Sequence, residues 1–233
     1  KKTKKYQNAE KLYLLGLKIN TRARGKVHKD TAQSASYLGF LYEQMADFKN
    51  AEKYLLISID LKEEIHGEKA IELASGLGHL GSLYRDLGRY REAEKIYLRC
   101  LSILETRHGN DSMKIAETGN ELAMVYDRMN EYAKSDKLYS RSLKIAEVKY
   151  GGNHIALVDF LGDWGRSYIA QGKYVKAEEV LMRGLRINEK EFGAGHPSVL
   201  SLLEDLASLY GETGRYGESE AVYQNILKIN KAH

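Results

Sequence analysis

The pattern of this chain returns every 42 residues without an insertion or a deletion. Leu80, Gly81, Tyr84 and Leu87 follow the spacing of one apolar helix stripe. Gly88 stops that helix, and Tyr90, Ala93, Tyr97, Leu101 and Leu104 form a second stripe of the same period. Tyr90 has counterparts at Tyr6, Phe48, Tyr132, Tyr174 and Tyr216, and Tyr84 at Tyr42, Tyr126, Tyr168 and Tyr210. A unit of two helices cannot bury its apolar stripes alone and must stack on its neighbours. The period therefore constrains the chain to an all-α fold, an α-solenoid of antiparallel helix pairs with about eleven helices.

Taken in order, residues 3–24 read as a lone second helix whose own first helix is missing. Helix pairs follow at 28–66, 70–108, 112–150, 154–192 and 196–232, and the whole of 1–233 reads as a single array. Because the chain starts inside a repeat and without Met, it reads as a piece of a longer protein. Gly25, Gly67, Gly109, Gly151 and Gly193 recur between pairs and are expected to end helices in the left-handed conformation. Pro197 suits N1 of the helix that follows it. Gly39, Gly81, Ala123, Gly165 and Ala207 make one small register, and Ala51, Ala93, Ser135, Ala177 and Ser219 its partner, so the helices of a pair approach closely. A further small register runs Gly16, Ser58, Cys100, Ser142 and Gly184, then breaks at Ile226. Either the array ends there, as an atypical terminal repeat, or a capping helix follows.

Leu80, Gly81, Tyr84, Ala93, Tyr97 and Cys100 match the signature of the tetratricopeptide repeat (TPR), and the chain resembles that family along nearly its whole length. The usual TPR period is about 34, and the extra residues here amount to about one helical turn for each helix. This long variant, together with the loop GAGHPSV at Gly193–Val199, resembles the TPR domain of kinesin light chains and related adaptors. The resemblance implies a right-handed superhelix whose concave surface is lined mainly by first helices. Carried over residue by residue, it offers as a peptide-binding groove Ser36, Tyr37, Phe40 and Gln44 in the first repeat, and His79, Ser82 and Arg85 in the second. Asn120, Glu121, Met124 and Arg128 follow in the third, Asp163 and Arg166 in the fourth, and Glu204, Asp205 and Ser208 in the fifth. In kinesin light chains, paired Asn residues before the signature Leu hold the peptide backbone. Here Asn120 keeps that identity, and Ser36-Tyr37, Gly78-His79, Gly162-Asp163 and Glu204-Asp205 stand at the other such sites.

Other classes are disfavoured by the residues themselves. One Cys allows no internal disulfide, and no apolar run reaches the length of a membrane span. Cys100 sits in a small register and reads as core. His28, His154 and His196 share one repeat position and His66 and His108 another, with no metal-ligand spacing, so no metal or cofactor is expected. Trp164 shares the register of Leu38, Leu80, Leu122 and Leu206 and reads as core. The net charge of +4 conceals an asymmetry: residues 1–30 carry ten Lys and Arg against Glu10 and Asp30. That basic stretch lacks interleaved aromatics and reads as a solvated face.

These readings lead to a non-catalytic adaptor that holds an extended or short helical segment of a protein partner. It is expected to belong to a larger cytoplasmic assembly and to use no small-molecule substrate. A peptide-sensing regulatory module is the alternative, and repeat-based nucleic-acid binding is third, since the expected groove is mostly acidic. The acids Asp163, Glu204 and Asp205 are expected to meet the basic end of the ligand, and Tyr37 and Phe40 its apolar anchor.

Overall fold

The chain's alternating apolar stripes and turn residues produce helix after helix in the structure, a computed structural model that describes residues 2–109 and 112–232. The helices are α1 (Lys2–Arg24), α2 (Lys29–Gln44), α3 (Phe48–His66), α4 (Ala74–Asp86), α5 (Tyr90–His108) and α6 (Met113–Arg128). They continue with α7 (Tyr132–Tyr150), α8 (Val158–Ala170), α9 (Tyr174–Phe192), α10 (Leu200–Glu212) and α11 (Tyr216–Ala232). No strand occurs among the described residues. Lys1, Asn110, Asp111 and His233 lie outside them, as do the side chains of Lys2, Thr3, Lys4 and His108. The chain divides into two compact units, Lys1–Asn110 and Asp111–His233. In the first, α1 packs on α2, α2 on α3, α3 on α4 and α4 on α5; in the second, α6 to α11 pack successively in the same manner.

Each pair closes through one repeated turn. The backbone N–H groups of Asp47, Arg89, Glu131, Lys173 and Arg215 return to the carbonyls of Tyr42, Tyr84, Tyr126, Tyr168 and Tyr210 at 2.8–2.9 Å. That six-to-one bond with a left-handed residue before it is a Schellman turn. The left-handed residue is Gly88, Gly172 or Gly214 in three repeats, but Ala46 (φ 56°) and Asn130 (φ 58°) in the other two.

Between pairs the expected left-handed glycines have positive φ with a different ψ. Gly67 sits at φ 88°, ψ 161° and Gly193 at φ 90°, ψ 151°, an extended region that essentially only glycine enters. Beyond Gly193 the chain makes a single 3-10 turn, Pro197–Val199, before α10, so Pro197 opens that turn and not the α-helix itself. His28, His154 and His196 have a structural role that their spacing did not reveal. Each ring Nδ1 accepts the backbone N–H two residues on, at 3.1–3.2 Å, and so caps the following helix.

The small registers do allow close approach, but glycine meets a large side chain. A Cβ on Gly81 would stand 2.8 Å from the Tyr97 ring, and one on Gly165 2.5 Å from Leu181. Tyr97 and Leu181 are themselves fully buried. Cys100 is buried, with its Sγ donating to the Ala74 carbonyl at 3.4 Å. Ile226, where the small register breaks, is also buried. Trp164 is only partly covered, unlike Leu38, Leu80, Leu122 and Leu206. Its indole N–H donates to Asp136 at 3.3 Å, and its ring stacks on Tyr168 at 5.2 Å. A polar handle on a large ring explains why this position stays near the surface.

Candidate functional site

The first helices of the first unit present a ring-rich surface. Tyr37 is exposed and stacks on Tyr13 of α1, with centroids 5.6 Å apart. Phe40, one turn further along α2, packs on the His79 ring of α4 at 4.1 Å, and His79 Nδ1 lies 3.0 Å from Glu43. Arg85 bonds Asp86 at 3.0 Å and Ser82 at 3.4 Å. Gln44 is exposed. Ser36 is not on this surface: it is 1% exposed, with its hydroxyl 2.5 Å from that of Ser58 in α3. The helix period turns Ser36 toward its own partner helix, where only a small residue fits.

The corresponding surface of the second unit is charged. Arg166 joins Asp163 on its own helix and Asp205 of α10, the latter at 2.8 Å. Burial works against the Arg166 charge, but the two carboxylates hold its guanidinium above the ordinary range. Asp205 is pushed up by burial, which Arg166 only partly offsets. Asp163 also takes the Asn120 amide N–H at 2.5 Å, and the buried Asn120 Oδ1 has no partner among the described residues. The acids expected to receive a basic ligand group at Asp163 and Asp205 thus already share an internal cation. Glu204 and Ser208 are exposed, and Glu121 is partly covered.

A cleft of 430 Å³ opens in this unit, lined by Met124, Asp127, Arg128, Asn130, Tyr132, Tyr139, Asp163, Arg166, Ser167 and Ala170. Four of these, Met124, Arg128, Asp163 and Arg166, are groove candidates from the sequence. Asp127 accepts hydroxyls from Tyr139 and Ser167, each at 2.8 Å. Burial pushes its carboxyl up; the hydroxyls of Ser135, Tyr139 and Ser167 pull it down, and the Asp136 charge adds to the rise. Burial and the Asp127 charge push the Tyr139 phenol up as well. Tyr132 and Tyr139 come from α7, a second helix, and so were outside a search of first helices.

A repeated clasp ties successive repeats, and sequence reasoning did not identify it. The signature tyrosines Tyr42, Tyr84 and Tyr210 donate to Glu10, Glu52 and Glu178 of the preceding repeat, at 2.8, 2.9 and 3.1 Å. Arg89 then bonds Glu52 at 2.9 Å and lies 4.1 Å from the Tyr84 ring; Arg215 bonds Glu178 at 2.7 Å and lies 4.2 Å from the Tyr210 ring. Burial first, and then Glu52, pushes the Tyr84 phenol up to about 12. The signal was available: acids at 10, 52, 94, 136 and 178 recur with the same period as the tyrosines. No group of metal-ligating side chains assembles among the described residues, and no helix of theirs is long and apolar enough to cross a membrane.

Comparison with known proteins agrees with this geometry. A comparison with curated protein sequences gives no match. Among solved structures, BtubC (BKLC) from P. vanneervenii superposes with a TM-score of 0.80 at 18% identity, covering 97% of this chain and 91% of that one. The nearly identical TPR-like repeats of a candidate kinesin light chain from Podosopora anserina give 0.75 at 19%, covering 87% and 96%. A Rap protein complexed with competence and sporulation factor gives 0.62 at 15%, covering 99% and 72%. At these identities the likeness is one of fold. The tetratricopeptide repeat profile matches residues 30–106, 71–147, 114–190 and 159–232. With that profile over most of its length and its signature tyrosines clasping repeat to repeat, the chain belongs to the tetratricopeptide repeat family, whose helix pairs serve as scaffolds for protein interaction.

Proposed function

We propose that this chain is a non-catalytic adaptor whose first helices hold an extended or short helical segment of a partner protein. The observation that carries the reading is the 430 Å³ cleft of the second unit, with Met124, Arg128, Asp163 and Arg166 in its lining. Its volume falls within the about 300–1,000 Å³ usual for pockets that take a ligand. The Asn120 Oδ1 supports it further, because an acceptor without a partner among the described residues stands at the register of the backbone-holding asparagines. The exposed rings Tyr13 and Tyr37 of the first unit suit apolar anchors of such a segment. A Rap protein of the same fold has been solved with a bound factor, which is consistent with ligand capture by stacked helix pairs.

Panning a random-peptide display library on the chain tests the reading. Enriched peptides should bind Lys144→Glu, on an exposed second-helix surface, as well as they bind the unaltered chain. Met124→Ala combined with Tyr132→Ala, which strips two lining side chains of the cleft without changing its charge, should weaken them about tenfold or more at an unchanged melting temperature. Enrichment of no peptide, or peptides indifferent to the double variant, would sink the proposal.

A further inference from the structure

We propose that the cleft of the second unit is a socket for one cationic side chain, the Arg or Lys of a bound segment, with Asp127 as its counter-ion. The inference rests on the reading of this face as a peptide-holding surface and adds the chemistry of its ligand.

Asp163 and Asp205 share Arg166, and Asp136 has Lys173 at 2.9 Å. Asp127 makes no ion pair among the described residues; its oxygens meet the hydroxyls of Tyr139 and Ser167, with that of Ser135 nearby. Hydroxyls satisfy the lone pairs of a carboxylate without neutralising it. A partly desolvated carboxylate with no cation is unfavourable, and a cation brought in by a ligand relieves it. The neighbouring Asp136 charge and the burial that raises the Asp127 pKa both point in that direction.

The lining suits the rest of such a side chain. Tyr132, Tyr139 and Met124 line the same space and can cover the apolar stem of Arg or Lys while its head reaches the carboxylate. Two cations also line the cleft. Arg166 is engaged by its two carboxylates, but Arg128 is exposed and repels an incoming cation. The two residues adjacent in sequence, Asp127 and Arg128, should therefore affect binding in opposite directions. A purely apolar pocket would show no such opposition.

The test uses the chain labelled with ¹³C at its five methionine methyls, since Met124 lines the cleft. The probes are N-acetyl-arginine amide, its neutral isostere N-acetyl-citrulline amide and N-acetyl-glutamate amide. The arginine probe should shift the Met124 methyl and leave Met45 and Met182 in place; the citrulline probe should bind about tenfold more weakly. Asp127→Asn should abolish the preference for arginine over citrulline, and Arg128→Gln should strengthen arginine binding severalfold. Equal response to arginine and citrulline overturns the proposal, as does a preference that survives Asp127→Asn in a variant with normal melting. A Met124 shift caused by the glutamate probe overturns it too and assigns the cleft to Arg128. If arginine fails while display peptides still depend on Met124 and Tyr132, the adaptor reading stands without this socket. If arginine binds but no peptide is enriched, the socket stands and the adaptor reading falls.

Discussion

One register builds two different joints in the two units. Phe40 of α2 and Arg166 of α8 are equivalent positions, as are His79 of α4 and Asp205 of α10. In the first unit the contact is between rings, with Phe40 and His79 at 4.1 Å and Glu43 beside the imidazole. In the second it is between charges, with Arg166 drawing Asp163 and Asp205 together. The backbone beneath is alike, because Gly39 presses on Leu55 as Gly165 presses on Leu181. The difference teaches that close helix packing sets the spacing of first helices, and that their outer register can then carry either chemistry. Recognition on such a scaffold is decided by side chains the fold does not constrain.

The largest expected effect tests the shared part of the comparison. Gly81→Leu and Gly165→Leu each force a side chain into a fully buried neighbour. Each should lose at least about 3 kcal/mol, the upper end of overpacking. The single tryptophan, Trp164, reports the second unit by fluorescence, while circular dichroism reports the whole chain. A tolerated substitution at either site would break the claim of a common packing.

The next effect separates the two joints. Arg166→Met leaves two carboxylates that are only 15% and 17% exposed without their cation. A fully buried pair would lose about 3–5 kcal/mol. Arg166 is 46% exposed, so about 2 kcal/mol is expected after solvent screening. Phe40→Ala removes a partly exposed ring and should lose about 1 kcal/mol. Chemical denaturation of the two variants gives the order, and a larger loss for Phe40→Ala would reverse the contrast.

The smallest effect compares two turns. Ala46 and Asn130 hold the same left-handed position in the two units, at φ 56° and 58°. Alanine is strained there, so Ala46→Gly should gain about 0.5–1 kcal/mol after the entropy of the unfolded glycine is counted. Asparagine tolerates the conformation, and Asn130→Gly should change stability by no more than about 0.3 kcal/mol. Equal gains in thermal melts would show that the turn geometry alone sets the effect.

Much of this protein was legible in its residues. Stripes three and four apart, turn glycines and small registers are short-range features, so their spacing on a 42-residue period determined the helices, their pairing and the family. The resemblance to that family put Met124, Arg128, Asp163 and Arg166 among the expected groove residues before any contact was known, and all four line the cleft. Partnership was not legible. Whether a carboxylate such as Asp205 awaits a ligand or already holds Arg166 depends on a side chain 39 residues away. The same holds for Ser36, which turns inward to Ser58, and for Asp127, which among the described residues finds hydroxyls and no cation. Sequence period decides which residues share a helix face, because the helix repeats locally. Only the tertiary structure decides which charges remain uncompensated, because compensation is set by distances between residues far apart in the chain.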